Sequence, residues 1–419
     1  MDDSPGPSGA PNEEEHSVTF VLGVVLFALG IGASLALHEA GHMYTAKAFG
    51  MKVRRYFIGF GPTLFSFRRG ETEYGLKAIP AGGFCDIAGM TALEELSDPD
   101  ERKRAFIRFS VWRRVVVLSA GALTHFVLGI VLIYVMAVST GLPNLNPAPT
   151  PAVVSKVSPC IAVQADGSCQ PGSPAPARDA GLQPGDRVLA VGGTPVRDFD
   201  GLVTAIHSRS GPTEVRFDRN GQQRTVVIDV ARVPLSSLGG KGDEIVGAIG
   251  VSPPRQVVVM PQVGPVDAIG QTVGFTGTMF ANTWQGLKEF PQRTPALLDR
   301  IAGKDRPDTP VSVVGASVLG GDAAGVGAWW FFLVLLVALN LFLGVFNLLP
   351  LLPLDGGHIA VNLYEGVRNA IRRATGRPDG PPVDYTRLMP LTYAIVLVFI
   401  GVSLLTLTAD IVNPIRLNR

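Results

Sequence analysis

Four stretches of the chain are apolar over a length that suits a membrane crossing, and polar segments of differing character separate them. A helix of about 20 apolar residues spans the hydrocarbon core of a bilayer. Val18 to Leu37 is the first such run, Val115 to Ser139 the second and Trp329 to Leu349 the third; Leu391 to Leu407, a shorter one, is the fourth. Between the first two, Thr63–Arg68 and Glu73–Ile79 alternate with period two around Arg69-Gly70, which predicts a β-hairpin.

Between the second and third runs, residues 150–258 change to short β-branched segments punctuated by turn residues. Ala180–Pro195 reads as turn, strand and turn, Asp200–Ser208 as a short amphipathic helix, and Thr213–Asp218 with Arg224–Val230 as a hairpin across Asn220-Gly221. That is enough chain for one small α/β domain. Val263–Ile301 then carries apolar residues at helical spacing, with Phe280, Trp284 and Phe290 among polar ones. A helix lying along the membrane surface fits this pattern, and so does a packed soluble helix. Pro310–Ala316 and the glycines at 320, 321, 325 and 327 predict a loop entering the third span.

The resulting plan is a disordered tail (1–17), a first spanning helix (18–49), a loop with the hairpin (50–114) and a second spanning helix (115–140). The α/β domain (150–258), an interfacial or linker segment (259–328), a third spanning helix (329–358), a second loop (359–389) and a fourth spanning helix (390–412) follow. Composition agrees with a membrane protein: 47% of the 419 residues are hydrophobic and 17% charged. A net charge of +1 gives no reason to expect a nucleic-acid partner. The first apolar run does not resemble a cleaved leader, because Glu13-Glu14-Glu15 precedes it where a leader is basic, and no small-residue cleavage site closes it.

Charge sets the expected orientation. Residues 50–114 hold twelve arginines and lysines, and Arg368, Arg372, Arg373, Arg377 and Arg387 crowd the loop before the fourth span. Basic loops beside spans mark the cytoplasmic side. The first and third spans then run from outside to inside, and the α/β domain lies outside the cell membrane. There Cys160 and Cys169 meet an oxidising compartment, which favours a disulfide over two unpaired thiols.

The chemistry sits at the end of the first span, in His38-Glu39-Ala40-Gly41-His42. Histidines at i and i+4 project from one helix face and can share a metal, and Glu39 beside them can take a proton from an activated water. Two buried, hydrogen-bonded packing histidines would look the same on the motif alone. His125 in the second span is a candidate further ligand or another packing histidine. Asp355 follows the third span in Asn347-Leu-Leu-Pro350-Leu-Leu-Pro353-Leu-Asp355-Gly-Gly. Parity puts Asp355 and the two histidines at the same membrane face. Two histidines and one carboxylate, with a fourth position left for water, form a catalytic zinc set. A membrane scaffold with a structural metal site is the alternative, but such a site has no use for Glu39. A metal transporter would need further intramembrane ligands along a path.

These motifs, HEAGH in a first span, Asn-x-x-Pro followed by Leu-Asp-Gly in a third, and a domain between with Ala180-Gly-Leu-Gln-Pro-Gly-Asp186, resemble the site-2 protease family. The similarity is to its RseP-like bacterial subgroup with one PDZ domain. It implies zinc on His38, His42 and Asp355, Glu39 as catalytic acid/base, and Asn347 in contact with substrate. It also implies that the hairpin with Gly82-Gly83-Phe84 is a membrane-associated β element offering a strand to substrate. A polytopic protein of the bacterial plasma membrane is implied, with its site near the cytoplasmic side and a PDZ-like domain outside. Its substrates would be single-span proteins such as anti-sigma factors, first trimmed by an upstream site-1 protease, in stress signalling. The second proline, Pro353, stands one place later than the family commonly has it, which leaves the path from Pro350 to Pro353 open.

Overall fold

In a computed structural model of the chain, the described residues are 13–417, apart from 91–93, 95, 162–167, 171, 239–243, 255–258, 305 and 307. The first helix, α1 (Glu13–Ala48), begins earlier than the apolar pattern suggests, so the expected disorder of 13–17 gives way to helix. Residues 1–12 of that expected tail lie outside the described residues. The helix carries HEAGH within its last turns and stops where Gly50 turns left-handed at φ 82°. Met51 N–H donates to Ala46 O and Gly50 N–H to Lys47 O, both at 2.9 Å, the paired bonds that close a helix on a glycine.

The hairpin is longer and more folded than its period-two core: β1 is Val53–Arg69 and β2 is Thr72–Ile87. Residues 55–58 pair with 83–86 on one side and with 73–76 on the other, and 73–76 pair again with 65–68. Two bent strands thus make a four-row sheet with 83–87 along one edge. Gly59 and Gly61, at φ 89° and 80°, are where β1 bends. A short helix α2 (Pro99–Lys103), capped by Asp98, leads to α3 (Val111–Ser139).

The α/β part follows in order: β3 (Lys156–Val157), α4 (Pro176–Asp179), β4 (Arg187–Val191), β5 (Thr194–Pro195), α5 (Phe199–His207), β6 (Gly211–Arg219), β7 (Gln222–Pro234), β8 (Ile245–Ala248) and β9 (Val251–Ser252). Five strands form one antiparallel sheet in the order β5-β4-β6-β7-β8, and β3 pairs with β9. Asn220 and Gly221, both at positive φ, make the two-residue turn between β6 and β7. Alternate residues Val215 and Phe217 of β6, with Ile228 and Val230 of β7, bury one sheet face against Leu202 and Ile206 of α5. Asp198 caps that helix, accepting from Gly201 N–H at 2.8 Å. Cys160 and Cys169 are joined as a disulfide.

The remaining helices are α6 (Pro265–Arg293), α7 (Ala296–Ile301), α8 (Val313–Gly325), α9 (Trp329–Asn347), α10 (Asp355–Ala374) and α11 (Met389–Val412). The segment read as either a surface-lying or a packed helix is α6, which runs along α3: Tyr134 Oη donates to Pro265 O at 3.3 Å, and the Phe126 and Phe280 rings are 5.2 Å apart. Three others, α8, α9 and α10, differ from the sequence pattern. Of the glycines expected in a loop before the third span, Gly327 follows α8 in a turn, whereas 320, 321 and 325 lie in α8 itself. Gly320 and Gly321 are contact residues, since a Cβ on Gly320 would meet Phe27 at 2.6 Å and one on Gly321 would meet Val24 at 2.5 Å. Small residues let two helices in a bilayer approach this closely. The third span ends at Asn347, and the loop expected from residue 359 is helical to Ala374.

Residues Ser17–Ala48, Val111–Ser139, Trp329–Asn347 and Met389–Val412 form helices long and apolar enough to cross a membrane, which fits a multi-pass membrane protein. The chain divides into two compact units, one of residues up to 142 with 261–297 and 308 onward, the other of 143–260 with 298–307.

Candidate metal centre

The first unit gathers three polar side chains from two distant segments. His38 Nε2 lies 3.2 Å and His42 Nε2 3.3 Å from Asp355 Oδ2, and the two Nε2 atoms are 3.2 Å apart. These are the atoms of a candidate ligand set of two buried histidines and a half-buried aspartate.

Local structure explains each placement. The i, i+4 spacing on α1 stacks the histidines on one face. His42 Nδ1–H donates to Val117 O of α3 at 2.8 Å, which leaves Nε2 as a lone pair facing the cluster. Asp355 is the first residue of α10, where an anion is favoured by the helix dipole. The chain reaches it through a tight reversal after α9. A Cβ on Gly356 would sit 2.2 Å from Leu349 O, and one on Gly357 2.5 Å from Leu352 N, so only glycines admit that turn.

Three acceptor atoms converge here with no proton shared among them in the neutral-imidazole state. Asp355 Oδ2 is buried with no hydrogen-bond partner among the described residues. Such an arrangement is repulsive until a cation joins it. Tetrahedral zinc with nitrogen and oxygen ligands at about 2.0 Å puts neighbouring ligand atoms roughly 3.3 Å apart. The observed triangle matches that edge, so these residues fit the ion.

Glu39 does not join the triangle. Its Cγ lies 3.1 Å from where a Cβ of Gly83 would be. The edge row of the sheet, 83–87, therefore runs beside the acid. Tyr56 Oη ties the sheet to α1 by donating to Ala36 O at 2.7 Å. Burial, reinforced by the Glu39 charge, pushes the Tyr56 hydroxyl up to about 12, so it stays a donor. Burial likewise raises the Cys85 thiol, again reinforced by Glu39, which keeps it protonated.

Phe84 stacks on Phe57 at 5.6 Å and on Phe60 at 6.3 Å, and Gly82 takes φ 131°. Asn347 is the last residue of α9, half-buried, and lies outside the ligand set. His125 is fully buried on α3 and hydrogen-bonded to Asn340 at 3.0 Å; it too is outside the ligand set. The disulfide pair Cys160 and Cys169 belongs to the other compact unit.

One contributor escapes a reading of the sequence. A Cβ on Gly121 of α3 would lie 2.3 Å from His42 Nε2 and 2.7 Å from His38 Cε1, so a bare backbone is what makes room for the cluster. A glycine in an apolar span carries no spacing that would have marked it.

Comparison with known proteins adds an independent line. The model of peptidase family M50 matches residues 26–378. The chain is 48% identical over 409 residues to the zinc metalloprotease Rip1 of Mycolicibacterium smegmatis, covering 95% of this chain and 99% of that protein. Against the protein of the same name from Mycobacterium tuberculosis it is 48% identical over 410 residues, with the same coverage. A putative zinc metalloprotease of Mesorhizobium japonicum is 32% identical over 405 residues, 91% of this chain and 95% of that one.

Proposed function

Because the chain belongs to peptidase family M50, the site-2 protease family of zinc metalloproteases, we infer that His38, His42 and Asp355 hold its zinc and that Glu39 is the acid/base beside it. The observation that carries this assignment is the triangle of three candidate ligand atoms, two imidazole Nε2 and one carboxylate oxygen, at 3.2–3.3 Å. The alternative of a scaffold with a purely structural metal leaves Glu39, adjacent to the cluster and outside it, without a task.

A zinc ion in this set supplies Lewis-acid polarisation of a scissile carbonyl and lowers the pKa of water toward ~7. The chain's own groups supply the rest. Glu39 takes the proton of the attacking water and delivers it to the leaving amine. A helical substrate shields its peptide bonds by internal hydrogen bonding and must first be opened. The edge row 83–87, with Gly82, Gly83 and Phe84 at its start, pairs on one side only among the described residues and can take an extended segment by backbone bonding. Asn347, at the end of α9, offers a side-chain amide to the same opened backbone. Leu64, Phe65 and Phe67 on the far row of the sheet are exposed, which suits a sheet that sits in the lipid interface.

The substrates on this reading are transmembrane segments of single-span proteins, anti-sigma factors among them, after a site-1 protease has removed the outer part. The membrane is the bacterial plasma membrane. The basic loops put the cluster toward the cytoplasm, and the α/β unit acts outside as a PDZ-like domain that filters substrates.

The test is Glu39→Gln in the full chain, reconstituted in liposomes with a single-span substrate. Cleavage is lost, zinc is retained, and uncut substrate co-purifies with the variant, where mass spectrometry identifies it. Cutting at the wild-type rate by Glu39→Gln overturns the assignment.

A further inference from the structure

Two buried imidazole nitrogens beside the cluster lack a hydrogen-bond partner among the described residues: His38 Nδ1 and His125 Nε2. Their rings have centroids 5.0 Å apart and planes inclined by 35°. His125 is one turn beyond Gly121 on α3, hence on the helix face that backs onto both metal-cluster histidines.

The protonation of each ring is set by its other neighbour. Asn340 Nδ2–H donates to Leu336 O at 2.8 Å, so the amide oxygen is the atom turned to His125, 3.0 Å from Nδ1. His125 therefore carries its proton on Nδ1 and presents Nε2 as a lone pair. His38 faces Asp355 through Nε2. A neutral imidazole that offers Nε2 to a metal keeps its proton on Nδ1. One buried donor and one buried acceptor are thus left side by side, each costly if unmet.

We propose that His125 is a positioning residue for the metal centre: when zinc holds His38 Nε2, His125 Nε2 accepts from His38 Nδ1–H a hydrogen bond that is not formed in this structure, while His125 Nδ1–H donates to Asn340 Oδ1. This rests on the reading of His38 as a zinc ligand. The partner histidine supports the idea: His42 already has its Nδ1–H bound to a carbonyl of the same helix, Val117 O, at 2.8 Å. Helix α3 then orients both histidines, one through a backbone carbonyl and the other through an imidazole. Metal-bound histidines generally donate their second N–H in this way, which fixes the ring and raises its basicity. The Asn340 contact links the arrangement to α9, one span away from the helix that carries HEAGH.

The experiment compares the wild-type full chain with His125→Phe, His125→Gln and Asn340→Leu in detergent, reading zinc affinity by chelator competition and the visible spectrum of the Co2+ form. His125→Phe weakens zinc binding by about 10- to 100-fold, the range for loss of such a partner, and shifts the cobalt bands. His125→Gln, whose amide oxygen is an acceptor near the position of Nε2, recovers most of the affinity and the spectrum. Asn340→Leu frees the His125 tautomer and gives a smaller loss of the same sign, a readout that holds even where His125→Phe fails to fold. Wild-type affinity and spectrum in a folded His125→Phe overturn the proposal, as does a His125→Gln no better than His125→Phe. Zinc retained at full stoichiometry in His38→Ala instead overturns the ligand reading on which the proposal rests, so the two failures are distinguishable.

Discussion

Gly121 of one spanning helix backs directly onto His42 of another: a Cβ at position 121 would lie 2.3 Å from His42 Nε2. A methyl group there occupies the space into which the ligand atoms converge. It meets ring atoms fixed from behind by Val117 O, so there is little freedom to yield. Gly121→Ala is therefore expected to fold and to lose zinc, with cleavage lost in parallel. Gly129→Ala on the same helix is the control, because its Cβ would meet only the tip of Leu341 at 3.2 Å. Metal analysis and thermal melting of the two variants decide the matter; full zinc occupancy in Gly121→Ala refutes the packing argument.

The three proposed ligand positions and Glu39 should separate cleanly. His38→Ala, His42→Ala and Asp355→Ala each remove one corner of the triangle and should lower zinc content and cleavage together. Chelation of the wild-type protein should abolish cleavage, and added zinc should restore it. Full zinc stoichiometry in Asp355→Ala, measured by elemental analysis, would take that residue out of the ligand set.

The α/β unit offers a prediction about pH. Asp186 is fully buried and paired with Arg219 through two contacts of 2.7 Å. Its burial acts to raise its pKa, but the Arg219 guanidinium and the Gln183 N–H outweigh that and hold it below its ordinary 3.8. A carboxylate depressed in the folded state stabilises the fold above the ordinary value, and the contribution is lost as pH falls through the folded value. Arg219→Ala leaves burial unopposed by the guanidinium, so acid unfolding of this unit should begin at a higher pH than in the wild type. Circular dichroism during acid titration measures it; an unchanged midpoint argues that the pair contributes nothing.

What the sequence made legible follows from how local each signal is. HEAGH announces itself because two candidate ligands and a candidate acid share one helical turn. Asp355 could be joined to them only through the parity of the spans, and the structure brings the three together. The hairpin was visible at Thr63–Arg68 and Glu73–Ile79, but not its doubling, because the bend at Gly59 and Gly61 interrupts the period-two pattern. Gly320 and Gly321 read as loop residues, since a glycine that flexes a chain and one that admits a neighbouring helix are identical until Phe27 and Val24 are seen against them. The packing of α6 along α3 was hidden for a related reason: its apolar residues fit a lipid surface and a packed helix equally well.

The last prediction concerns the edge row beside Glu39. Gly83 stands between the sheet and the acid, and a Cβ there would lie 3.0 Å from Phe57 O and 3.1 Å from Glu39 Cγ. Gly83→Val forces this row away from Glu39 or turns the carboxylate aside. In neither case do His38, His42 and Asp355 lose their approach to one another, so zinc binding should persist. Catalysis should suffer, because a displacement near 1 Å between a reacting group and its substrate costs on the order of 100-fold. The signature is a large fall in kcat for a transmembrane substrate at wild-type zinc content. Gly32→Ala, on the same helix as Glu39 with nothing within 4 Å of its added carbon, should retain wild-type activity. A Gly83→Val protein that cleaves normally would mean that the edge row and Glu39 are neighbours without a shared task.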